Sequence, residues 1–446
     1  MGSMRIAIIG GGFTGLTAGH SLAQSGHQVT IFEKEPYLGG LAYGFKEKNW
    51  NWHLEGAYHH LFTNDSYIIS LIRELGLQDK LIVTRPITST LWHGKMHQLD
   101  SPLHLLRFPG LSPMSKFRTA ILLGFLKLFP FWKLLEHITA ERLIITIGGN
   151  QAWNCIWKPL LYGKFDDYAP TIAASWFWAR IAKRTPSLCY IHGGFHTVVE
   201  TLSQHITKLG GTIYTSTTVK TITKRKSHGF DVHIGKTRKS FDQVLLTIPT
   251  PIAFSLVPEL AKSTAHKQLT AIPHLHAQTL ILATKKPILN AVYWLNVTDQ
   301  SYPFLAAVAH TNFMNKKDYG GHHLTYFGNY LPQGHRYLSM TKQQLLKEFM
   351  PYIKRLNPSM SADSITRSFL FVGFFAQPVH TVGYSQKIPD LTTPITGLYM
   401  ANMDYILPWD RGTNYAVELG KRAASTMLSS SAASASSFLQ KNLSNR

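Results

Sequence analysis

The chain opens on an apolar run, Arg5-Ile6-Ala7-Ile8-Ile9, of the length a strand buried on both faces needs. Glycines at 10, 12 and 15 follow, and then a helical stretch from Thr14 to about Ser25 that Gly26 closes. A second apolar strand, Val29 to Phe32, ends at Glu33. Ser66 to Leu77 puts Ile68, Leu71, Ile72 and Leu75 at helical spacing. Later segments alternate in the same way. Thr197 to Lys208 reads as a helix, Thr212 to Ile222 as a strand, Lys224 to Lys239 as a polar hairpin and Phe241 to Ile248 as an apolar strand. Thr279–Ala283, Tyr293–Leu295, Phe304–Ala309 and His322–Phe327 read as strands, and Lys342–Arg355 as a helix. The pattern predicts an α/β chain: a doubly wound, Rossmann-like domain, with a second α+β domain of mixed or antiparallel sheet and helices.

One stretch admits two readings. In Pro102 to His137, Ile121, Leu122, Phe125, Leu128, Phe129 and Trp132 make an apolar surface, with Lys116, Arg118, Lys127 and Lys133 around it. A helix lying in a membrane interface, through residues 112–135, or a core helix of the second domain would both give that pattern. Pro130 interrupts it, and it is too short to span a bilayer.

The start of the chain carries the chemistry. Gly10 permits a tight turn, Gly12 lets a pyrophosphate approach the backbone, and Gly15 lets helix and strand lie close. The helix then aims its free N–H groups at the phosphates. Glu33, about 20 residues on, is placed to accept both hydroxyls of an adenosine ribose and to repel a 2′-phosphate.

Composition narrows the classes. The chain has 446 residues and 44% hydrophobic content, enough for two packed domains. Two cysteines, Cys155 and Cys189, allow no disulfide framework, and no metal site is indicated; a reducing cytoplasm is expected. Lys and Arg number 45 against 24 Asp and Glu, a formal charge of +21. That suits anionic lipid or an acidic substrate, or reflects a basic proteome. No dense basic run or nucleic-acid motif is present, so no nucleic-acid partner is expected.

The start as a whole, from Ile9-Gly10-Gly11-Gly12 through Glu33-Lys34 to Gly39-Gly40-Leu41, resembles the FAD-binding start of the flavoprotein family of amine oxidases, protoporphyrinogen oxidases and phytoene-type desaturases. The resemblance implies non-covalent FAD, with Phe13, Thr14, Lys34, Gly40 and Leu41 beside the glycines and Glu33. It implies Gly56-Ala57-Tyr58 beside the isoalloxazine ring and a backbone contact from Val219 to adenine. It implies a closing flavin segment: Asn402 and Asp404 on the ribityl or pyrophosphate, Trp409 near the ring, and a helix at Gly412-Thr413-Asn414 aimed at flavin N1 and O2.

His59 and His60 would then carry protons near N5 or form a hydrogen-bonded structural pair. Arg411 would assist flavin or grip substrate, unless it only pairs with Asp410. Aromatic residues from 141 to 190, with Lys158, Lys164 and Arg180 among them, would line an apolar pocket with a hold on an anion, or pack as core. The implied domains are 4–78, 191–254 and 386–428 for FAD, 79–190 and 255–385 for substrate, and a disordered tail over 429–446. The implied chemistry is hydride removal from a C–H bond of a mostly apolar small molecule. Where amine oxidases place a Lys, this chain has His276-Ala277-Gln278, which favours desaturation or porphyrinogen-like oxidation over amine oxidation. The alternative is non-redox flavin use of the sugar-nucleotide mutase type.

Overall fold

The computed structural model describes residues 2–444, and from 431 onward the backbone alone. Five parallel strands stand in the order Thr212–Tyr214, Gln28–Phe32, Arg5–Ile9, Gln243–Leu246, Leu398–Met400. The register sets Ile8 between Ile31 and Leu245, all fully buried, which is why these strands read as unbroken apolar runs. The helix Phe13–Gln24 lies on this sheet. The closing helix, Thr413–Ser444, crosses it where a Cβ on Gly420 would stand 2.6 Å from the Thr14 carbonyl oxygen. The backbone thus runs on as helix to Ser444 where a disordered tail over 429–446 is expected; residues 445 and 446 lie outside the described residues.

The stretch Thr212 to Ile222 is not one strand. Thr212–Tyr214 joins the parallel sheet, the chain turns at Ser216 (φ 49°), and Val219–Lys224 joins an antiparallel meander with Phe230–Ile234 and Thr237–Phe241. The turn has a cause: the Ser216 and Thr217 N–H groups donate to the Glu35 and Glu33 carbonyls, at 2.9 and 2.8 Å.

The second half is a seven-stranded sheet in the order Ile365–Pro378, His274–Thr284, His323–Leu331, Ala306–Ala309, Val292–Val297, Ile87–Trp92, Lys95–Gln98. All its pairs are antiparallel except Val292–Val297 with Ile87–Trp92. A small sheet of Leu61–Phe62, Leu188–Ile191 and Leu81–Thr84 sits at the two chain crossings between the halves. One buried cluster runs through both halves, from Ile8 and Leu245 to Ile281 and Tyr326.

Residues 102–135 form the helices Pro102–Arg107, Pro113–Leu128 and Trp132–Leu135; Ser101 and Ser112 cap the first two through the His104 and Ser115 N–H groups. The long helix has two apolar faces. Thr119, Leu122 and Leu126 are buried, while Met114, Phe117, Ile121 and Leu128 point outward, Phe117 at 62% and Leu128 at 84% exposure. No helix among the described residues is long and apolar enough to cross a membrane.

Candidate cofactor and active site

The glycine loop folds as its spacing requires. Gly10 has φ 114°, and a Cβ on Gly15 would lie 2.1 Å from the Gly10 oxygen. A Cβ on Gly12, in contrast, would meet nothing nearer than Gly40 Cα at 3.8 Å. Gly12 and Gly39 form a backbone bridge, with the Gly39 N–H donating to the Gly11 oxygen at 2.9 Å. Two glycine turns therefore lie side by side, joined through their backbones as a strip without side chains. Gly12 caps the helix Phe13–Gln24 without any side-chain hydrogen bond, so the first-turn N–H groups remain available to an anion.

Glu33 stands at one end of this strip. Its carboxylate accepts from the Gly11 and Glu35 N–H groups, at 2.7 and 2.9 Å. The turn at Ser216 brings Val219 alongside. Lys34 is exposed and pairs with Glu35 at 3.3 Å. Phe13 is buried edge-on to Phe195, and Thr14 is half-buried under the closing helix. An open glycine cradle at a helix N-terminus, with a carboxylate at the ribose distance along the chain, fits a dinucleotide.

Farther along, Leu41 packs against Gly373 of the strand Ile365–Pro378. Gly56 is small for a packing reason: a Cβ there would meet the Phe371 ring at 2.9 Å. Its N–H donates to Tyr43 O at 3.0 Å and its oxygen accepts from Thr279 Oγ1, so Gly56 does not offer its backbone to the ring as expected. The Ala57 and Tyr58 N–H groups make no hydrogen bond among the described residues and are available for such a contact. Tyr58 stands edge-on to Trp294 and fills the space left by Gly328.

The two histidines separate. His60 Nδ1 bonds the Tyr293 hydroxyl at 3.0 Å, and burial, with Arg184 and Arg180 nearby, holds the ring down to about 3. It is a neutral imidazole at pH 7. His59 Nδ1 donates to the Ala57 carbonyl at 2.7 Å, which leaves Nε2 as an acceptor. Burial lowers it to about 4, so at pH 7 it is neutral and weakly basic.

The closing segment also departs from expectation. Asp404 is buried and spends its carboxylate on Thr250 and His274, the His274 contact at 2.6 Å. Asn402 binds Ile248 O and Thr250 Oγ1, at 2.9 and 3.0 Å, and caps the Asp404 N–H. Asn414 accepts from the Tyr67 and Ile68 N–H groups, at 3.0 and 3.2 Å, and so caps the helix Ser66–Glu74. These side chains tie elements together; Asn414 Nδ2 alone among their polar atoms is buried without a partner among the described residues. Gly412, where a Cβ would meet only Tyr415 Cδ2 at 3.8 Å, precedes the helix that Thr413 begins.

Asp410 does not pair with Arg411. Oδ2 accepts from Lys164 and Arg180, at 3.2 and 3.1 Å, and Oδ1 from Trp176 Nε1 and Gln377 Nε2, both at 3.1 Å. Burial opposes its charge, but Lys164 and Arg180 hold it well below the usual carboxylate range. Arg411 Nε donates to Gln377 Oε1 at 2.9 Å, and its guanidinium lies 4.8 Å over Tyr330. Trp409 stacks on Trp178 and Tyr415, at 5.2 and 5.7 Å. Lys158 lies over Tyr162, outside this group. The strand His274–Thr284 turns Ala277 and Thr279 toward Leu41 and Gly56, and turns His276 toward Phe374 and Phe375.

Two ionisable residues escaped the sequence reading. Glu55 is buried, with Tyr190 and the Phe195 N–H donating to it at 2.6 and 2.8 Å; no pattern marks it. Arg184 stands four residues after Arg180, past the end of the helix Ala174–Ala182, and that spacing was a readable signal. Among the described residues no His, Cys, Asp and Glu group could hold a metal.

The model of the flavin-containing amine oxidoreductase family matches residues 13–428, and the chain belongs to that family; its cofactor is FAD. An uncharacterised protein of Methanocaldococcus jannaschii is 34% identical over 137 residues, 30% of this chain and 34% of that one. A zeta-carotene desaturase of Zea mays is 30% identical over 133 residues, 27% of this chain and 23% of the relative. The chain thus spans about a third or less of the curated relatives it matches. An oxidoreductase from Methanosarcina mazei shares the fold, with TM-score 0.72 and 18% identity over 95% of this chain and all (100%) of that one.

Proposed function

We propose that this chain is an FAD-dependent oxidoreductase that removes a hydride from a C–H bond of a mostly apolar small molecule, as a desaturase or a protoporphyrinogen oxidase-like enzyme does. The observation that carries the reading is the glycine cradle at a helix N-terminus, with Ala57 and Tyr58 N–H groups that bond no described residue and an aromatic cluster of Trp178, Trp409, Tyr330 and Tyr415. Bound FAD supplies a two-electron acceptor for hydride. The chain orients the substrate by aromatic contact and excludes water. His59 Nε2 offers a weak acceptor for the proton lost with the hydride. Amine oxidation is disfavoured, because the strand His274–Thr284 turns Ala277 and Thr279 toward Leu41 and Gly56 and carries no lysine.

The outward face of Met114, Phe117, Ile121 and Leu128, with Lys116 and Lys133 beside it, supports a peripheral membrane contact that gives access to apolar substrate. Both cysteines are free, in keeping with a reducing cytoplasm.

The mutase-type reading rests on the arginines Arg180, Arg184 and Arg411. Anaerobic mixing with polyenes, porphyrinogens, amines and sugar nucleotides separates the two. Bleaching of the yellow protein by an apolar substrate supports the oxidoreductase. Turnover of a sugar nucleotide without net bleaching overturns it.

A further inference from the structure

The strand Ile365–Pro378 breaks its ladder where it passes His276. Ala277 pairs with Gly373 and Leu275 with Gln377, so three residues, Phe374 to Ala376, stand against His276 alone. A bulge of this kind re-aims side chains. Phe375 has φ 55°, a conformation that a bulky side chain adopts only under constraint. Its N–H leaves the ladder and donates to His276 Nδ1 at 2.9 Å. Phe374 and Phe375 both stand edge-on to the His276 ring, at 5.2 and 5.3 Å.

The bulge walls one side of a cavity of about 280 Å³. The loop after the strand His323–Leu331 walls the other, with Gln333, His335 and Leu338. Phe374, 58% exposed, stands at the mouth. Ala277 and Thr279 face Leu41 and Gly56, so the cavity that His276 lines opens on the other side of the strand from the cofactor segments.

The wall carries two unspent donors. His276 is 3% exposed, and its Nδ1 accepts from the Phe375 N–H, so the ring hydrogen sits on Nε2. His335 repeats the arrangement: its Nδ1 accepts from the Tyr337 N–H at 3.1 Å. Neither Nε2 bonds a described residue. His276 Nε2 is not sealed within the core, so it reaches the cavity. Burial keeps both rings neutral at pH 7, helped by His274 beside His276 and by Arg336 beside His335. No carboxylate among the described residues lines the space, so a cation has no partner there.

We infer that this cavity binds a planar aromatic ring bearing a hydrogen-bond acceptor such as a ring carbonyl, which packs against Phe374 and Phe375 and accepts from the imidazole N–H groups of His276 and His335. An apolar cavity of about 150 Å³ holds benzene. The larger volume here suits a fused bicyclic ring. The site stands apart from the cofactor cradle and does not depend on the oxidoreductase reading.

The test uses the FAD-loaded full chain and three probes: coumarin, a bicyclic ring with a carbonyl; naphthalene, the same ring size without an acceptor; and cyclohexanone, a carbonyl without an aromatic ring. Binding is followed by ligand-observed NMR titration, which needs no turnover. Coumarin is expected to bind about tenfold tighter than either of the others, the difference one hydrogen bond or one aromatic contact makes. Phe374→Ala should weaken coumarin about tenfold, and Ser339→Trp, which fills the cavity from its rim, should abolish binding. Both positions are exposed, so an unchanged thermal midpoint shows that each variant is folded. Naphthalene binding as tightly as coumarin overturns the inference, because the histidine donors would then play no part. Coumarin binding unchanged in both variants also overturns it, because the ligand would then sit elsewhere, as does no coumarin binding at about 1 mM.

Discussion

Glu33 is the residue whose side chain most directly links fold to cofactor. It holds the Gly11 and Glu35 N–H groups, and its expected role is to accept from the ribose hydroxyls. Glu33→Ala removes charge-assisted bonds worth roughly 1.5–3 kcal/mol each. We expect at least a tenfold loss of FAD affinity, measured as flavin retained after gel filtration; equal retention would take Glu33 out of the ribose role. Glu55 makes a second residue-scale prediction. Burial lifts its carboxyl to about 7, against Tyr190 and the Phe195 N–H, which favour the ion. Its folded pKa lies above its unfolded value near 4.5, so the folded state binds the extra proton between those values. Its contribution to stability is therefore greatest at acid pH and declines as pH rises from 4.5 through about 7. Glu55→Gln should flatten that part of the profile in urea unfolding; an unchanged slope would place the titration elsewhere. Glu33 was legible because a local motif fixes it. Glu55 was not, because Tyr190 and Phe195 meet it only through the fold.

At the scale of elements, the helix Pro113–Leu128 shows what a sequence leaves open. Its apolar residues read as a core helix or as a membrane surface, and the fold buries one face and leaves the other outward. We expect the protein to float with anionic vesicles and the Phe117→Asp, Leu128→Asp double variant to remain in solution. These positions are exposed, so the variant should keep its thermal midpoint. Wild type that stays off the vesicles would remove the membrane contact.

Asp410 gives the opposite case. It lies beside Arg411 in sequence, yet it joins Lys164, Arg180 and the strand Ile365–Pro378 through Gln377. Adjacent residues diverge in direction, so the pairing was invisible until the strand and both helices were in place. Asp410→Asn leaves Lys164 and Arg180 buried or half-buried without a counter-charge. A loss of about 3–5 kcal/mol is expected in denaturant unfolding; a loss below about 1 kcal/mol would mean that solvent already screens them.

For the molecule as a whole, the two halves are interleaved along the chain and share one core cluster. The crossings were legible from the return of parallel-strand patterns at Phe241–Ile248 and Gly397–Asp404, while the seven-stranded order was not, since pairings between distant strands leave no local trace. Buried contacts between the halves include His274 with Asp404 and the Tyr326 hydroxyl with the Glu55 carbonyl. One buried cluster joins the two halves, beside others internal to the second, so the chain is expected to unfold in one transition. Flavin release and loss of tryptophan fluorescence should then coincide on heating. Excess FAD at about 100 times its dissociation constant adds about 2.7 kcal/mol and should move both signals upward together. His274→Ala frees the Asp404 carboxylate and weakens one tie between halves, lowering the shared midpoint while the two signals stay superimposed. Flavin loss well below the tryptophan transition, in either protein, would show that the cofactor half opens alone and that the shared core does not couple them.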